Sequence, residues 1–296
     1  MQDKIMRVRG VIPPLITTFD EQGSLDEGRL REVVRFLRDR VDGFFVCGTY
    51  GSGPLMSVQE RKHVAQVVVE ESNGLPVIVH VGASNTQATV ELAKHAESVG
   101  ACAVSSIAPF YYEYSEKQLE EHFLSLISAV RIPVFAYNNP KTSRNPLGPS
   151  LIARLAENGL RGIKDSSFDL LCFYEYTRTV RVPGFVFIIG TEALLLPAVQ
   201  AGAQGCIAGL ANALPEEVVE LYRLASESAS KEAVVTQQRV LVLREIMRRR
   251  GAIPTIHAIL RLRGVDCGWP RRPFTPLRED EVRALKEELQ EKQVVL

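Results

Sequence analysis

Apolar positions along the chain fall into two alternating rhythms. Eight short apolar runs stand out: "GVIPPLIT" (10–17), "GFFVCG" (43–48), "PVIVHV" (76–81), "CAVSSI" (102–107), "IPVFAY" (132–137), "LRGIK" (160–164), "GFVFIIG" (184–190) and "GCIAG" (205–209). Runs of this length read as buried strands. Longer segments with helical spacing separate them, among them "SLDEGRLREVVRFLRDR", "SVQERKHVAQVVVEES" and "TQATVELAKHAESVG". Thr86 is the expected N-cap of the last, and Gly100 its expected C-terminal stop. Strands that alternate with helices predict a parallel sheet. Eight such units within about 220 residues predict a (β/α)8 (TIM) barrel rather than an open sheet.

After residue 214 the rhythm changes. "PEEVVELYRLASESASKEAVVTQQRVLVLREIMRRRG" reads as helical throughout, and "IPTIHAILRLRG" and "EDEVRALKEELQEK" extend the helical region around a proline-rich turn, "WPRRPFTP". The expected organisation is one barrel carrying the site over 1–214, and a helical extension packed on it over 215–296. No Pro/Gly/Ser-rich linker divides the chain. The arginines at 248–250 read as a solvated helix end, where cations are favoured.

Composition works mainly by exclusion. Apolar residues make up 46% of the 296, enough for a sizeable core. Lysine plus arginine and aspartate plus glutamate number 35 each, so nothing pushes the chain toward nucleic acid or an anionic membrane. No apolar run reaches the roughly 18–20 residues of a bilayer span, and "MQDKIMRVRG" has no signal-peptide core. The expectation is a soluble, cytoplasmic protein. Cys47, Cys102, Cys172, Cys206 and Cys267 form no C-x-x-C pair and read as small buried hydrophobes. His63, His80, His95, His122 and His257 are equally dispersed, so no metal site is expected.

Barrel enzymes place their chemistry at the C-terminal ends of the strands. The polar residues there are Thr17, Thr18, Thr49, Tyr50, Ser105, Ser106, Tyr137 and Lys164, with Gly190 and Gly209 beside them. A strand alternates its faces, so Gly162 and Lys164 point together, opposite Ile163. If Ile163 packs on the outer helices, Lys164 points into the lumen, where poor solvation exposes a nucleophilic amine. The alternative is a structural lysine paired with Asp165. Tyr137, one strand away, is either a proton shuttle or a core-capping phenol. The aromatic loop "PFYY" (109–112) reads as packing at a subunit interface. The glycines of "VCGTYGSGPLMS" (46–57) suggest an anion site, but neither the dinucleotide fingerprint nor a P-loop is met.

These segments together resemble the dihydrodipicolinate synthase/N-acetylneuraminate lyase family of class I pyruvate aldolases, over the whole chain. "GTYG" resembles its Gly-Thr-Thr-Gly loop, "VFAYNNP" its tyrosine strand, "GIKDSS" its Schiff-base lysine strand and "APFYY" its second-tyrosine loop. Within the family the chain resembles the archaeal 2-keto-3-deoxygluconate aldolases in particular, with a similar Gly-x-Gly-Pro, a similar "APFYY…SEKQL" stretch and a similar Pro-Arg-x-Pro. The resemblance implies an imine on Lys164, proton transfer by Tyr137, and Thr49 linking Tyr137 to Tyr111 of a neighbouring subunit. It implies a carboxylate held by the loop at Gly48, Thr49 and Tyr50, and a pocket lined by Gly190 and Ile207. It also implies no metal or other cofactor, and a homotetramer built from dimers. The chain departs from the family at four positions. Tyr50 stands for the loop's second threonine and Ser52 for a glutamate. Thr142 stands where the synthases carry a carboxylate-gripping arginine, and Asn139 where sugar-acid aldolases carry a tyrosine. The expected reaction is reversible aldol cleavage of a 2-oxo acid such as 2-keto-3-deoxygluconate to pyruvate and an aldehyde. The alternative is condensation of pyruvate with aspartate semialdehyde, as by dihydrodipicolinate synthase. A non-catalytic 2-oxo-acid-binding protein is the third reading.

Overall fold

The two prolines of the first apolar run decide how the sheet closes. In the computed structural model, which describes residues 8–296, β1 is only Gly10–Ile12, because Pro13 and Pro14 have no N–H to give a ladder. The chain stays extended beyond them. Leu15 N–H donates to Phe45 O at 2.9 Å, and Phe45 N–H to Pro13 O at 3.0 Å. Those bonds join β1 to β2 (Phe44–Val46). Among the described residues the other strands are β3 (Val77–His80), β4 (Ala103–Ile107), β5 (Val134–Asn138), β6 (Gly162–Asp165), β7 (Val186–Ile189) and β8 (Gly205–Ile207). All pairs are parallel, in the order β1-β8-β7-β6-β5-β4-β3-β2. With helices between the strands, this is the expected (β/α)8 barrel.

The period of two sorts each strand onto two cores. Val77, Val79, Val134, Ala136 and Ile163 join the large apolar layer between strands and helices, while Ile12, Phe45, Ile78, Phe135, Tyr137, Ile188 and Ile207 fill the lumen. Ile163 therefore does pack outward, and Lys164 shares the lumen face with Gly162. Gly162 is needed there: a Cβ on it would collide with the Phe135 ring. Fully burying a leucine or phenylalanine contributes about 1.5–3 kcal/mol, so this two-layer core carries the fold.

Several helix ends differ from expectation. Asn85, not Thr86, caps Thr86–Ser98: it is extended, and its side chain accepts from Ala88 N–H at 2.9 Å. Asparagine is the stronger N-cap, which leaves Thr86 as the first helical residue. Gly100 does end the helix, at φ +90°, with Ala101 N–H donating to Ala96 O at 3.0 Å. The segment after 214 is not one continuous helix. Pro215–Glu227 packs against β1, and the chain then breaks at the serines before Lys231–Arg249. Ser230 is the new N-cap, accepting from Ala233 N–H at 3.1 Å, and serine competes with helix by such local bonds. The arginines at 248–250 are not simply solvated: Arg249 and Arg250 both pair with Glu288 of the helix Glu279–Glu291.

Candidate active site

Lys164 is the penultimate residue of β6 and is 4% exposed. Its Nζ lies 3.9 Å from the Tyr137 ring centroid and 4.0 Å from that of Phe45. Burial holds its pKa below the usual lysine value, against the opposing pull of Tyr137 and then Cys206. The pairing with Asp165 is not made. Asp165 points to the other face and spends its oxygens on Asn138 Nδ2 and Ser167 Oγ, each at 2.8 Å. Its own pKa is raised, first by burial. The lysine is thus a desolvated amine stacked between two rings, not half of an ion pair. An amine in that state is a nucleophile toward a carbonyl carbon.

Tyr137 is level with Lys164 in the β5–β6 register. Burial pushes its phenol up. The Lys164 charge and hydrogen bonds from Thr49, Asn139 and Ser166 outweigh this, and the net shift is downward. Asn139 Nδ2 donates to the phenol oxygen at 3.1 Å. A phenol supplied with several partners and a neighbouring amine can pass protons in either direction.

The loop after β2 folds back on itself. Cys47 and Ser52 sit at φ +59° and +55°, costly values for residues with a Cβ. Gly53 N–H donates to Gly48 O at 3.0 Å, and a Cβ on Gly53 would strike Cys47 O. Thr17 Oγ donates to Gly51 O at 2.7 Å. Ser52 N–H donates to Thr49 O at 3.3 Å, so the turn consumes the Ser52 and Gly53 amides but not those of Thr49 and Tyr50. Tyr50 does not imitate a threonine. Its half-buried ring lies against Gly209, just beyond β8, where a Cβ would stand 2.5 Å from its Cζ. Burial pushes this phenol up. Gly190 lets the end of β7 abut β6: its N–H donates to Asp165 O at 2.6 Å, and a Cβ would meet that oxygen at 2.8 Å. Ile207 lies in the lumen layer with Tyr137 and Ile188.

Above these residues opens a cleft of about 620 Å³, lined among others by Thr49, Tyr50, Asn139, Lys141, Thr142 and Arg248. Arg244, which also lines it, makes a 3.0 Å ion pair with the buried Glu192 just after β7. Gln237 fastens the same junction, its Nε2 donating to Glu192 O and its Oε1 accepting from Leu196 N–H, both at 3.0 Å. The helix Lys231–Arg249 is therefore part of the mouth. Sequence reasoning missed Ser166, Arg244 and Arg248 as site neighbours, and named Asn139 only as a departure from the family motif. Asn139 and Ser166 carried a local signal, since each follows a strand end by one residue. The arginines carried none.

Tyr111 is the predicted residue that stays apart. It is 75% exposed, at φ +87°, with its ring edge-to-face on Tyr112 at 5.0 Å. Among the described residues no group of three His, Cys, Asp or Glu side chains could hold a metal ion, and no helix is long and apolar enough to cross a membrane.

Comparison with known proteins agrees with this geometry. Residues 7–292 match the Dihydrodipicolinate synthetase family. An uncharacterized DapA-like lyase of Halobacterium salinarum is 37% identical over 95% of this chain and 93% of its own length. The 4-hydroxy-tetrahydrodipicolinate synthase of Methanopyrus kandleri is 34% identical over 96% of each chain. The crystal structure of KD(P)GA from T. tenax superposes with a TM-score of 0.88 at 30% identity, covering 97% of this chain and 99% of that one. With its lysine and tyrosine side by side on β6 and β5 of the barrel, the chain belongs to the Dihydrodipicolinate synthetase family, a family of pyruvate-dependent carbon–carbon lyases.

Proposed function

We propose that the protein is a Schiff-base aldolase that reversibly cleaves a 2-oxo acid such as 2-keto-3-deoxygluconate to pyruvate and an aldehyde. The observation that carries this is the Lys164 amine, desolvated between the Phe45 and Tyr137 rings. The amides of Thr49 and Tyr50 hold the substrate carboxylate beside Gly48, by charge-assisted bonds. Lys164 attacks C2, and the carbinolamine loses water as Tyr137 supplies the proton. The protonated imine then draws in the C3–C4 bonding electrons as the C4 hydroxyl gives up its proton. The aldehyde leaves and an enamine remains. Protonation at C3 and hydrolysis release pyruvate and return the free amine. Gly190 and Ile207 line the pocket near the imine, and Thr49 orients Tyr137. In a homotetramer, Tyr111 of a neighbouring copy completes this relay, which accounts for an exposed, strained tyrosine. No metal or other cofactor enters the cycle.

Asn139, which donates to the Tyr137 phenol, and Thr142 line the cleft as uncharged hydrogen-bonding groups, suited to the hydroxyls of a sugar acid. One observation favours a second reading, dihydrodipicolinate synthase: Lys141 and Arg248 also line the cleft, and cations there suit an acidic aldehyde such as aspartate semialdehyde. The test is borohydride trapping with pyruvate, peptide mapping, and then kcat/KM with each aldehyde. An adduct of pyruvate less one oxygen on the Lys164 peptide, with faster turnover of glyceraldehyde, supports the aldolase. Faster turnover of aspartate semialdehyde selects the synthase. An adduct with no turnover of any aldehyde leaves a 2-oxo-acid-binding protein, and no adduct removes the Schiff-base reading altogether.

A further inference from the structure

Nothing above uses His80, yet it occupies the lumen face of β3, 5% exposed, in the layer that holds Lys164 among apolar and aromatic side chains. Ile78 and His80 point inward while Val77 and Val79 face the helices. Its ring makes two polar contacts. Nδ1 lies 3.2 Å from Cys47 O, and Ile107 N–H faces Nε2 at 3.4 Å. A neutral imidazole has one donor and one acceptor. Since the Ile107 group is a donor, Nε2 accepts and Nδ1–H donates to Cys47 O. The contacts thus select a single tautomer.

What the ring touches is the site itself. It packs edge-on against Tyr137 at 5.7 Å between centroids and tilted at 44° against Phe45 at 5.9 Å, the two rings that flank the Lys164 Nζ. Cys47 is the residue at φ +59° directly before Gly48, Thr49 and Tyr50. Behind the strand, the buried guanidinium of Arg61 donates to His80 O at 2.7 Å and to Gly82 O at 3.0 Å, so the histidine stands on a braced base. Burial, the Arg61 charge and then Lys164 hold the imidazole neutral, as the acceptor role of Nε2 requires.

We propose that His80 is a positioning residue for the aldolase: its Nδ1–H clamps the strained turn at Cys47, and so fixes the amides of Thr49 and Tyr50 and the edge of the Tyr137 ring relative to Lys164. This rests on the Schiff-base reading above. Losing the clamp lets the turn relax and shifts the carboxylate grip, a misplacement that costs catalysis without touching the amine.

The experiment compares wild type with His80→Leu, His80→Asn and His80→Gln. The readout is exchange of pyruvate methyl protons for deuterium, which needs enamine formation but no aldehyde, together with borohydride trapping and thermal melts. Asparagine places an amide N–H where Nδ1–H stands, whereas glutamine reaches only the Nε2 position. The expected result is a folded His80→Leu with exchange kcat/KM down roughly 100-fold, mostly through a raised KM for pyruvate. His80→Asn recovers most of this loss and His80→Gln does not. Wild-type exchange in a folded His80→Leu overturns the proposal while the Schiff-base reading stands. If His80→Leu does not fold, the Asn–Gln pair decides, and equal behaviour of the two overturns the proposal. Absence of any wild-type adduct fails the Schiff-base reading, and the role of His80 falls with it.

Discussion

Two parts of the barrel mouth are built in opposite ways. On the β5–β6 side, Tyr137 and Lys164 stand on regular strands, in register, and the pleat alone aims them into the lumen. On the β2 side, the chain from Cys47 to Gly53 runs through two left-handed residues and a glycine that touches a carbonyl. The first region spends its cost on desolvating an amine, the second on backbone strain. In the proposed mechanism, the groups that react are thus held by the most regular structure available, and the groups that grip by a turn tolerated only because its surroundings over-determine it.

Removing the amine separates the two regions most sharply. Lys164→Met is expected to abolish the pyruvate adduct and lower kcat/KM by roughly 10⁴-fold or more. Its melting temperature should hold or rise, because a desolvated amine is replaced by an apolar chain of similar shape. A clear loss of stability would mean that the lysine also holds the lumen together. Tyr137→Phe comes next, with kcat lowered by about 10²–10⁴-fold, the range for a lost general acid–base, and KM for pyruvate little changed. A KM effect alone would move Tyr137 from proton transfer to binding. On the other side, Gly53→Ala drives a methyl into Cys47 O and should cost about 1–3 kcal/mol in denaturant unfolding, with KM for pyruvate raised. An unchanged KM would detach the loop from the carboxylate. Tyr50→Thr uncovers Gly209 and should alter the ratio of kcat/KM between aldehydes by roughly tenfold, with little effect on melting. If that ratio does not move, Tyr50 is packing rather than pocket. The smallest effect is one of pH on stability. His122 and His257 are buried, and burial lowers their pKa to about 4 and about 3. The unfolded chain therefore binds more protons, and their contribution is present above the ordinary histidine value of about 6.5 and lost as pH falls toward 4 and then 3. His257→Phe should flatten the acid side of the stability curve.

The contrast also explains what was legible in the sequence. Strand alternation brought Lys164 and Tyr137 forward but left each with a structural alternative, because nothing local fixes which face Ile163 takes; the resemblance of "GIKDSS" and "VFAYNNP" to family motifs singled them out. Gly100 could be found because a left-handed helix stop asks for glycine. The cap at Asn85 was one residue from the expected place, an error that neighbouring polar residues invite. The break at Ser228–Ser230 was hidden by good helical patterns on both sides of it. Tyr50 was visible as an anomaly, but its resting place on Gly209 joins residues far apart in sequence. Arg244 and Arg248 enter the mouth from the helical extension, and no local pattern says which face of that helix looks down on the barrel. His80 read as one more dispersed histidine, since its meaning depends on Cys47 from the loop after β2, Ile107 from β4 and Tyr137 from β5 converging on it.

The seam between β1 and β8 has a consequence for the chain as it leaves the ribosome. Gly10 pairs with Gly205, so the first strand made waits for the last before the ring can shut. Until Ile207 emerges, the lumen is an open trough and water reaches the Lys164 amine from the missing side. The low-dielectric surroundings that distinguish this lysine are thus assembled at the end of barrel synthesis. A nascent chain stalled before β8 lacks part of the burial that lowers this lysine's pKa, and gains it only on closure.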